Sequence, residues 1–265
     1  MISPRRQLSV GIPLKGMAGE FVLKGDEVRL WCVGLEATEA EFGLCRSWLS
    51  EEERERADRL HFIHHQRRFV LSHGVLRWLL GHYLKLPPES IKYSYGLKGK
   101  PHSADAKHRV DFNMSHSGSL AVYAFTSSEQ MGVDIGVDVE QVRPLPDMND
   151  LAARFFSREE VADLAALDES HRREGFFNCW TRKEAYIKAI GDGLSVPLDA
   201  FSVSLRPGVP AQLLSIDGEE SARSKWILHH FVPEAGYVGA LGYRAPARKL
   251  VVEQRKRAGE LVSGE

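Results

Sequence analysis

Two kinds of periodicity alternate along the chain. The first clear switch from polar to apolar spacing is Ser50 followed by Glu51, Glu52 and Glu53. This is a capping box, in which the serine hydroxyl and the third carboxylate satisfy N–H groups that a helix start leaves unpaired. A charged helix is therefore predicted from Ser50 onward. A second helix is predicted over 67–84, where Leu71, Val75, Leu76, Leu79 and Leu80 form one apolar stripe at helical spacing. Pro87 and Pro88 end it because neither can continue the hydrogen-bonded ladder. Strands are predicted at 110–112 and 120–125.

The second half repeats this order. Ser157 with Glu160 makes another capping box, and a longer helix over 175–190 stops at Gly191, Asp192 and Gly193. Strand-like runs follow at 201–205, 226–232 and 237–243. Capped helix, long helix, then strands thus occurs twice, as an old duplication would leave it. The chain is accordingly divided into an N-terminal lobe over 1–130, a C-terminal lobe over 131–245 and a tail over 246–265. That tail is charged, has little to bury and is expected to be flexible.

Composition narrows the function classes. The 265 residues are 43% hydrophobic, enough for a substantial core and for two domains. Lys plus Arg number 35 against 36 for Asp plus Glu, so bulk charge gives no reason to expect nucleic acid or an anionic membrane as partner. Any basic site must be local. Cys32, Cys45 and Cys179 have neither zinc nor disulfide spacing, which fits a reducing compartment. Arg5 and Arg6 are followed by Gly11, Pro13, Lys15 and Gly16 rather than by an apolar signal core. No stretch reaches transmembrane length, and the expectation is a soluble, cytoplasmic protein.

Three segments carry candidate chemistry. Residues 132–140 read Gly-Val-Asp-Ile-Gly-Val-Asp-Val-Glu, so in a strand Val133, Ile135, Val137 and Val139 face one way and Asp134, Asp138 and Glu140 the other. Asp138 and Glu140 would lie about 7 Å apart, close enough to share one cation. A solvated edge strand guarded by its carboxylates accounts for the same pattern. Farther on, Trp180, Glu184 and Lys188 recur every four residues on one helix face, with Lys183 one step round. A carboxylate beside ammonium groups suits a metal-bound diphosphate, although an exposed Glu-to-Lys pair worth about 0.2–0.5 kcal/mol has the same spacing. The third segment, Asn113 to Gly118, is read as a loop between two strands. It crowds Ser115 and Ser117 around His116, and suits either a phosphate or a plain turn with a solvated histidine. No Asp or Cys partner supports a catalytic triad there.

In this order and spacing the three segments resemble the 4′-phosphopantetheinyl transferase superfamily, in its two-lobed, surfactin-synthetase-activating form. The likeness covers roughly 48–243, and three ordered motifs are far more specific than any one. It implies an α+β fold of two similar lobes related by pseudo-two-fold symmetry, with the site between them. It also implies transfer of phosphopantetheine from coenzyme A to a serine of an acyl or peptidyl carrier protein, with release of adenosine 3′,5′-bisphosphate. By this resemblance Asp138, Glu140 and Glu184 would bind Mg²⁺ against the coenzyme diphosphate, and Glu184, directly or through a metal-ordered water, would help deprotonate the serine. Lys188 would contact the diphosphate and stabilise the leaving group, and Lys183 would be a further coenzyme-binding residue.

His116 and the adjacent Ser115 match coenzyme phosphate contacts, Lys100 in Gly99-Lys100-Pro101 would stand near the adenine nucleotide, and Arg68 would bind the 3′-phosphate. Arg77, nine residues later, would face the opposite side of a straight helix. Glu53 stands where some members carry a basic residue, leaving Arg54 or Arg56 for any contact there. Of the two Gly-Val-Asp repeats, 132–134 and 136–138, only the second has a carboxylate two residues onward.

A metal-dependent diphosphate hydrolase acting on coenzyme A or a nucleotide, and a non-enzymatic carrier-protein or nucleotide-binding module, are the competing readings. A fused pair of lobes can complete the site without a second chain, so a monomer is expected.

Overall fold

The structure, a computed structural model, describes residues 21–105, 110–127, 134–191 and 196–262. The N-terminal residues considered for a signal segment, the first Gly-Val of 132–133 and the end of the Gly191 to Gly193 stop lie outside the described residues.

Each half is built from the same parts in the same order. The first half contains β1 (Glu27–Gly34), α1 (Glu39–Trp48), α2 (Glu51–Asp58), α3 (Ile63–Leu84), β2 (Tyr93–Tyr95), β3 (Pro101–Ser103), β4 (Val110–Ser117) and β5 (Leu120–Ser127). The second contains β6 (Ile135–Gln141), α4 (Met148–Phe155), α5 (Arg158–Ala165), α6 (Glu169–Ile190), β7 (Phe201–Val203), β8 (Leu213–Ile216), β9 (Trp226–Phe231) and β10 (Tyr237–Arg244). Both capping boxes form: Ser50 and Ser157 each accept from the N–H three residues on, and Glu53 and Glu160 accept from the cap residues' N–H groups. Both long helices span 22 residues. The sheets repeat too, with β1 beside β5 beside β4 in one and β6 beside β10 beside β9 in the other, all antiparallel.

The two sheets stack face to face between the two long helices. Val28, Leu30, Cys32, Leu120, Val122 and Ala124 of the first sheet meet Ile135, Val137, Val139, Leu241 and Tyr243 of the second in one dry layer. α3 covers the first sheet's other face, with Leu71, Val75 and Leu79 against Phe112, Tyr123 and Phe125. α6 covers the second, with Phe176, Tyr186 and Ile187 against Phe201, Trp226 and Leu228. This burial is what holds the fold, since apolar area removed from water contributes about 25 cal/mol per Å². Among the described residues no helix is long and apolar enough to cross a membrane.

Several expectations change. α3 begins at Ile63 and α6 at Glu169, earlier than the apolar stripes indicate, because polar first turns carry no periodic signal. The expected flexible tail is folded over its described part, 246–262. Lys249–Arg255 forms β11, parallel to β1 from the Glu27 and Lys249 pair to the Val33 and Arg255 pair. Gly259–Val262 forms α7, and Ala258, Leu261 and Val262 join the first lobe's core. Edge strands tolerate charge, which is why composition disguised β11 as a tail.

Candidate active site

The edge strands β4 and β6 face each other where the lobes meet. Alternation on β6 is as expected: Ile135, Val137 and Val139 are buried in the inter-sheet layer, and Gly136, Asp138 and Glu140 occupy the other face. Helix α6 lies directly on that face, since a Cβ on Gly136 would run into the Ala185 carbonyl and the Ala189 amide. The helix is buried through Arg182, Lys183, Ala185, Tyr186 and Ile187, whereas Trp180, Glu184 and Lys188 form a half-buried stripe. Lys188 Nζ donates to Asp138 Oδ1 at 2.6 Å and to Ser115 Oγ at 3.0 Å. Ser115 Oγ in turn donates to the same carboxylate oxygen at 2.8 Å.

The segment expected to be a loop is the second half of strand β4. Its alternate residues reach across the seam like rungs. Asn113 Oδ1 accepts from the Val137 N–H at 2.9 Å, and Ser117 Oγ donates to Glu140 Oε2 at 2.7 Å and accepts from the Gln141 N–H at 3.2 Å. Polar residues here satisfy a facing strand edge rather than water, a tertiary effect that outweighs their turn preference. The chain turns only after them, at Gly118, with φ +57°. Asn113 and Ser117 were not singled out from the sequence for this role. The signal was the period-2 spacing of 113, 115 and 117, read as loop composition. His116 lies on the opposite face of β4, with Phe112 and Met114.

The electrostatics of the seam follow from burial. Asp138 is 3% exposed, and its Oδ2 is buried with no hydrogen-bond partner among the described residues. Glu140 is pushed above the ordinary carboxylate range by burial, with Ser117 opposing and the Asp138 charge adding to the rise. Glu184 is raised by burial and then by Asp138, with Lys188 opposing. Burial of part of its ring lowers His116, as do the positive charges of Lys188, Arg68 and His65. Arg68 is half-buried inside the second turn of α3. Among the described residues no three His, Cys, Asp or Glu side chains close around a point that a metal ion could occupy. The contacts at Asp138 are instead made by Lys188 and Ser115.

Other candidates lie elsewhere. Lys183 is 1% exposed, pairs with Glu160 Oε2 at 2.7 Å and donates to the carbonyls of Leu198 and Phe201. It belongs to the second lobe's core and not to the seam, which corrects its expected place among the coenzyme-binding residues. The ammonium of Lys100 reaches the second lobe, where it donates to the carbonyls of Ile135 and Ala189. Arg77 faces away from Arg68 as its spacing requires. It is 2% exposed and donates to Glu53 at 2.6 Å and to the Pro88 and Ile91 carbonyls. Glu53 therefore serves a buried pair and a cap. Arg54 donates to the Leu49 carbonyl, and Arg56 stands over the Phe69 ring. Asp134, ahead of β6, pairs with Arg244 at 2.7 Å.

Fold and seam together define a two-lobed α+β protein in which acidic and basic side chains meet between two halves of like element order. Residues 134–241 match the 4′-phosphopantetheinyl transferase superfamily, and residues 35–128 match the 4′-phosphopantetheinyl transferase N-terminal family. The chain is 38% identical over 223 residues to the 4′-phosphopantetheinyl transferase HetI of Nostoc sp., covering 83% of this chain and 89% of that one. It is 36% identical over 159 residues to the 4′-phosphopantetheinyl transferase Sfp of Bacillus subtilis, covering 60% of this chain and 67% of the relative. A mouse protein, L-aminoadipate-semialdehyde dehydrogenase-phosphopantetheinyl transferase, is 27% identical over 253 residues, or 89% of this chain and 79% of its own. The chain belongs to the 4′-phosphopantetheinyl transferase superfamily.

Proposed function

We propose that the chain moves 4′-phosphopantetheine from coenzyme A to a serine hydroxyl of an acyl or peptidyl carrier protein, at the seam between lobes 1–130 and 131–245. The observation that carries this reading is the arrangement at Asp138: a buried carboxylate with one oxygen on Lys188 and Ser115 and the other unpartnered. Glu140 and Glu184 stand within range of its charge.

The chemistry of these residues suits a divalent cation, although their side chains do not close around one point here: an acceptor buried without a partner among the described residues, and carboxylates raised by Asp138's charge, would both be relieved by one. Asp138, Glu140 and Glu184 would hold Mg²⁺. When bound, it neutralises charge on the coenzyme diphosphate. Glu184 is the group assigned to take the serine proton, since burial and the neighbouring charge bring a carboxylate closer to the basicity that proton transfer needs. Lys188 balances charge developing on the departing adenosine 3′,5′-bisphosphate. Ser115 orients Asp138 and Lys188 by bonding to both. Arg68 and His116 supply the positive side of the cleft for phosphate, Arg68 as a fixed cation and His116 as a donor that gains a proton when an anion adjoins it.

Incubation with coenzyme A, Mg²⁺ and an apo carrier protein, followed by intact-mass measurement of the carrier, tests the proposal. One phosphopantetheine is expected per carrier. Consumption of coenzyme A with no gain of mass on acyl or peptidyl carriers would instead indicate diphosphate hydrolysis.

A further inference from the structure

Lys100 follows Gly99, which has φ +85°, at the tip of the β2–β3 hairpin. Its side chain leaves the first lobe altogether. Nζ donates to the carbonyl of Ile135, the first residue of β6, at 2.9 Å, and to that of Ala189, in the last turn of α6, at 2.7 Å. Carbonyls in a helix's last turn have no partner within the helix and carry the negative end of its dipole, so an ammonium suits them doubly. The aliphatic stem passes over Gly191, where a Cβ would stand 3.0 Å from Lys100 Cδ. Gly191 has φ +77° and ends α6.

This ammonium is costly to keep where it is. Burial lowers Lys100 from its ordinary value to about 8, and only the more distant charges of Asp134 and Asp111 oppose the shift. A half-buried cation bonded to main-chain carbonyls gives no ordinary gain in stability, and two of its three N–H donors are already engaged.

We infer that Lys100 is a positioning residue: from the first lobe it pins the start of β6 to the end of α6, and so holds Asp138 in contact with Lys188. Its side chain does not itself bind the coenzyme. The inference rests on β6 and α6 being the elements that carry transfer. Asp138 lies three residues beyond Ile135, and Lys188 adjoins Ala189, so both clamped carbonyls are close in sequence to the contact they secure.

The full chain carrying Lys100→Met or Lys100→Arg tests this by carrier modification across a range of coenzyme A concentrations. For Lys100→Met, kcat should fall by about tenfold to a hundredfold, the scale of small misplacements of reacting groups, with the KM for coenzyme A essentially unchanged. Lys100→Arg, which retains donors for both carbonyls, should recover most of kcat. A rise in KM at constant kcat would make Lys100 a coenzyme ligand and overturn the inference, as would no change in either constant. Amide exchange gives a readout independent of transfer. Residues 135–138 and 187–191 should exchange about tenfold faster in Lys100→Met through local opening, and unchanged exchange would also overturn the clamp. If Lys100→Met does not fold, exchange of these amides in Lys100→Arg should match the wild type, and faster exchange there would count against it. Failure of the wild-type chain to modify any carrier would sink the proposed function alone, leaving the exchange result to judge Lys100.

Discussion

Lys183 and Lys188 lie on one helix, five residues apart, and have opposite fates. Lys188 opens onto the seam at Asp138, while Lys183 is sealed into the second lobe with Glu160. Helical spacing from Glu184 identified Lys188 correctly as a member of the half-buried stripe. It could not reveal that Lys183 has a carboxylate from α5 beneath it, because that pairing exists only after the lobe has packed. Asp138 was legible for the converse reason: alternation on β6 is local, and it alone separates the carboxylates from the valines.

His116 gives a prediction at this scale. Partial loss of water around the ring, then the charges of Lys188, Arg68 and His65, lower the His116 pKa from its ordinary value. A phosphate placed beside it raises its pKa. Binding should then draw a proton onto the ring between the lower free value and the higher bound one, and that contribution strengthens binding as pH falls through this window. Calorimetry of coenzyme A binding in buffers of different ionisation enthalpy should show more proton uptake by the wild type than by His116→Gln. Equal uptake would remove His116 from the phosphate site.

At the scale of elements, the seam depends on how closely α6 can approach β6. Gly136 makes room for the helix backbone. Gly136→Ala should push α6 outward and lower stability by about 1–3 kcal/mol, as overpacking of a well-filled interior does; the midpoint of denaturant unfolding measures it. An unchanged midpoint would mean that the close approach is dispensable. The capping boxes at Ser50 and Ser157 were readable because their donors and acceptors lie within four residues. β4 does not show its full length in the sequence, because Asn113, Ser115 and Ser117 have turn chemistry; their backbone pairs with β5, and the facing edge of β6 supplies partners for their side chains. Lys100 was assigned to the nucleotide by resemblance, and no local pattern shows that its side chain crosses between lobes.

For the whole molecule, the repeated element order extends to equal lengths of the two long helices and matching sheet orders. The chain then returns from the second lobe to the first, where β11 and α7 close the sheet edge and core. Each half supplies part of the seam: β4, with Asn113, Ser115 and Ser117, comes from the first, and β6 and α6, with Asp138, Glu184 and Lys188, from the second. In the proposed reaction this composite seam performs transfer and Glu184 handles the serine proton. The most direct measurement is the rate of holo-carrier formation, by intact mass, for the wild type and for Glu184→Gln of matched thermal stability, with coenzyme A and Mg²⁺ in excess. The wild type should modify the carrier, and the variant should be slower by about 10²-fold or more, the usual contribution of a positioned general base. Transfer by Glu184→Gln at the wild-type rate would contradict the account.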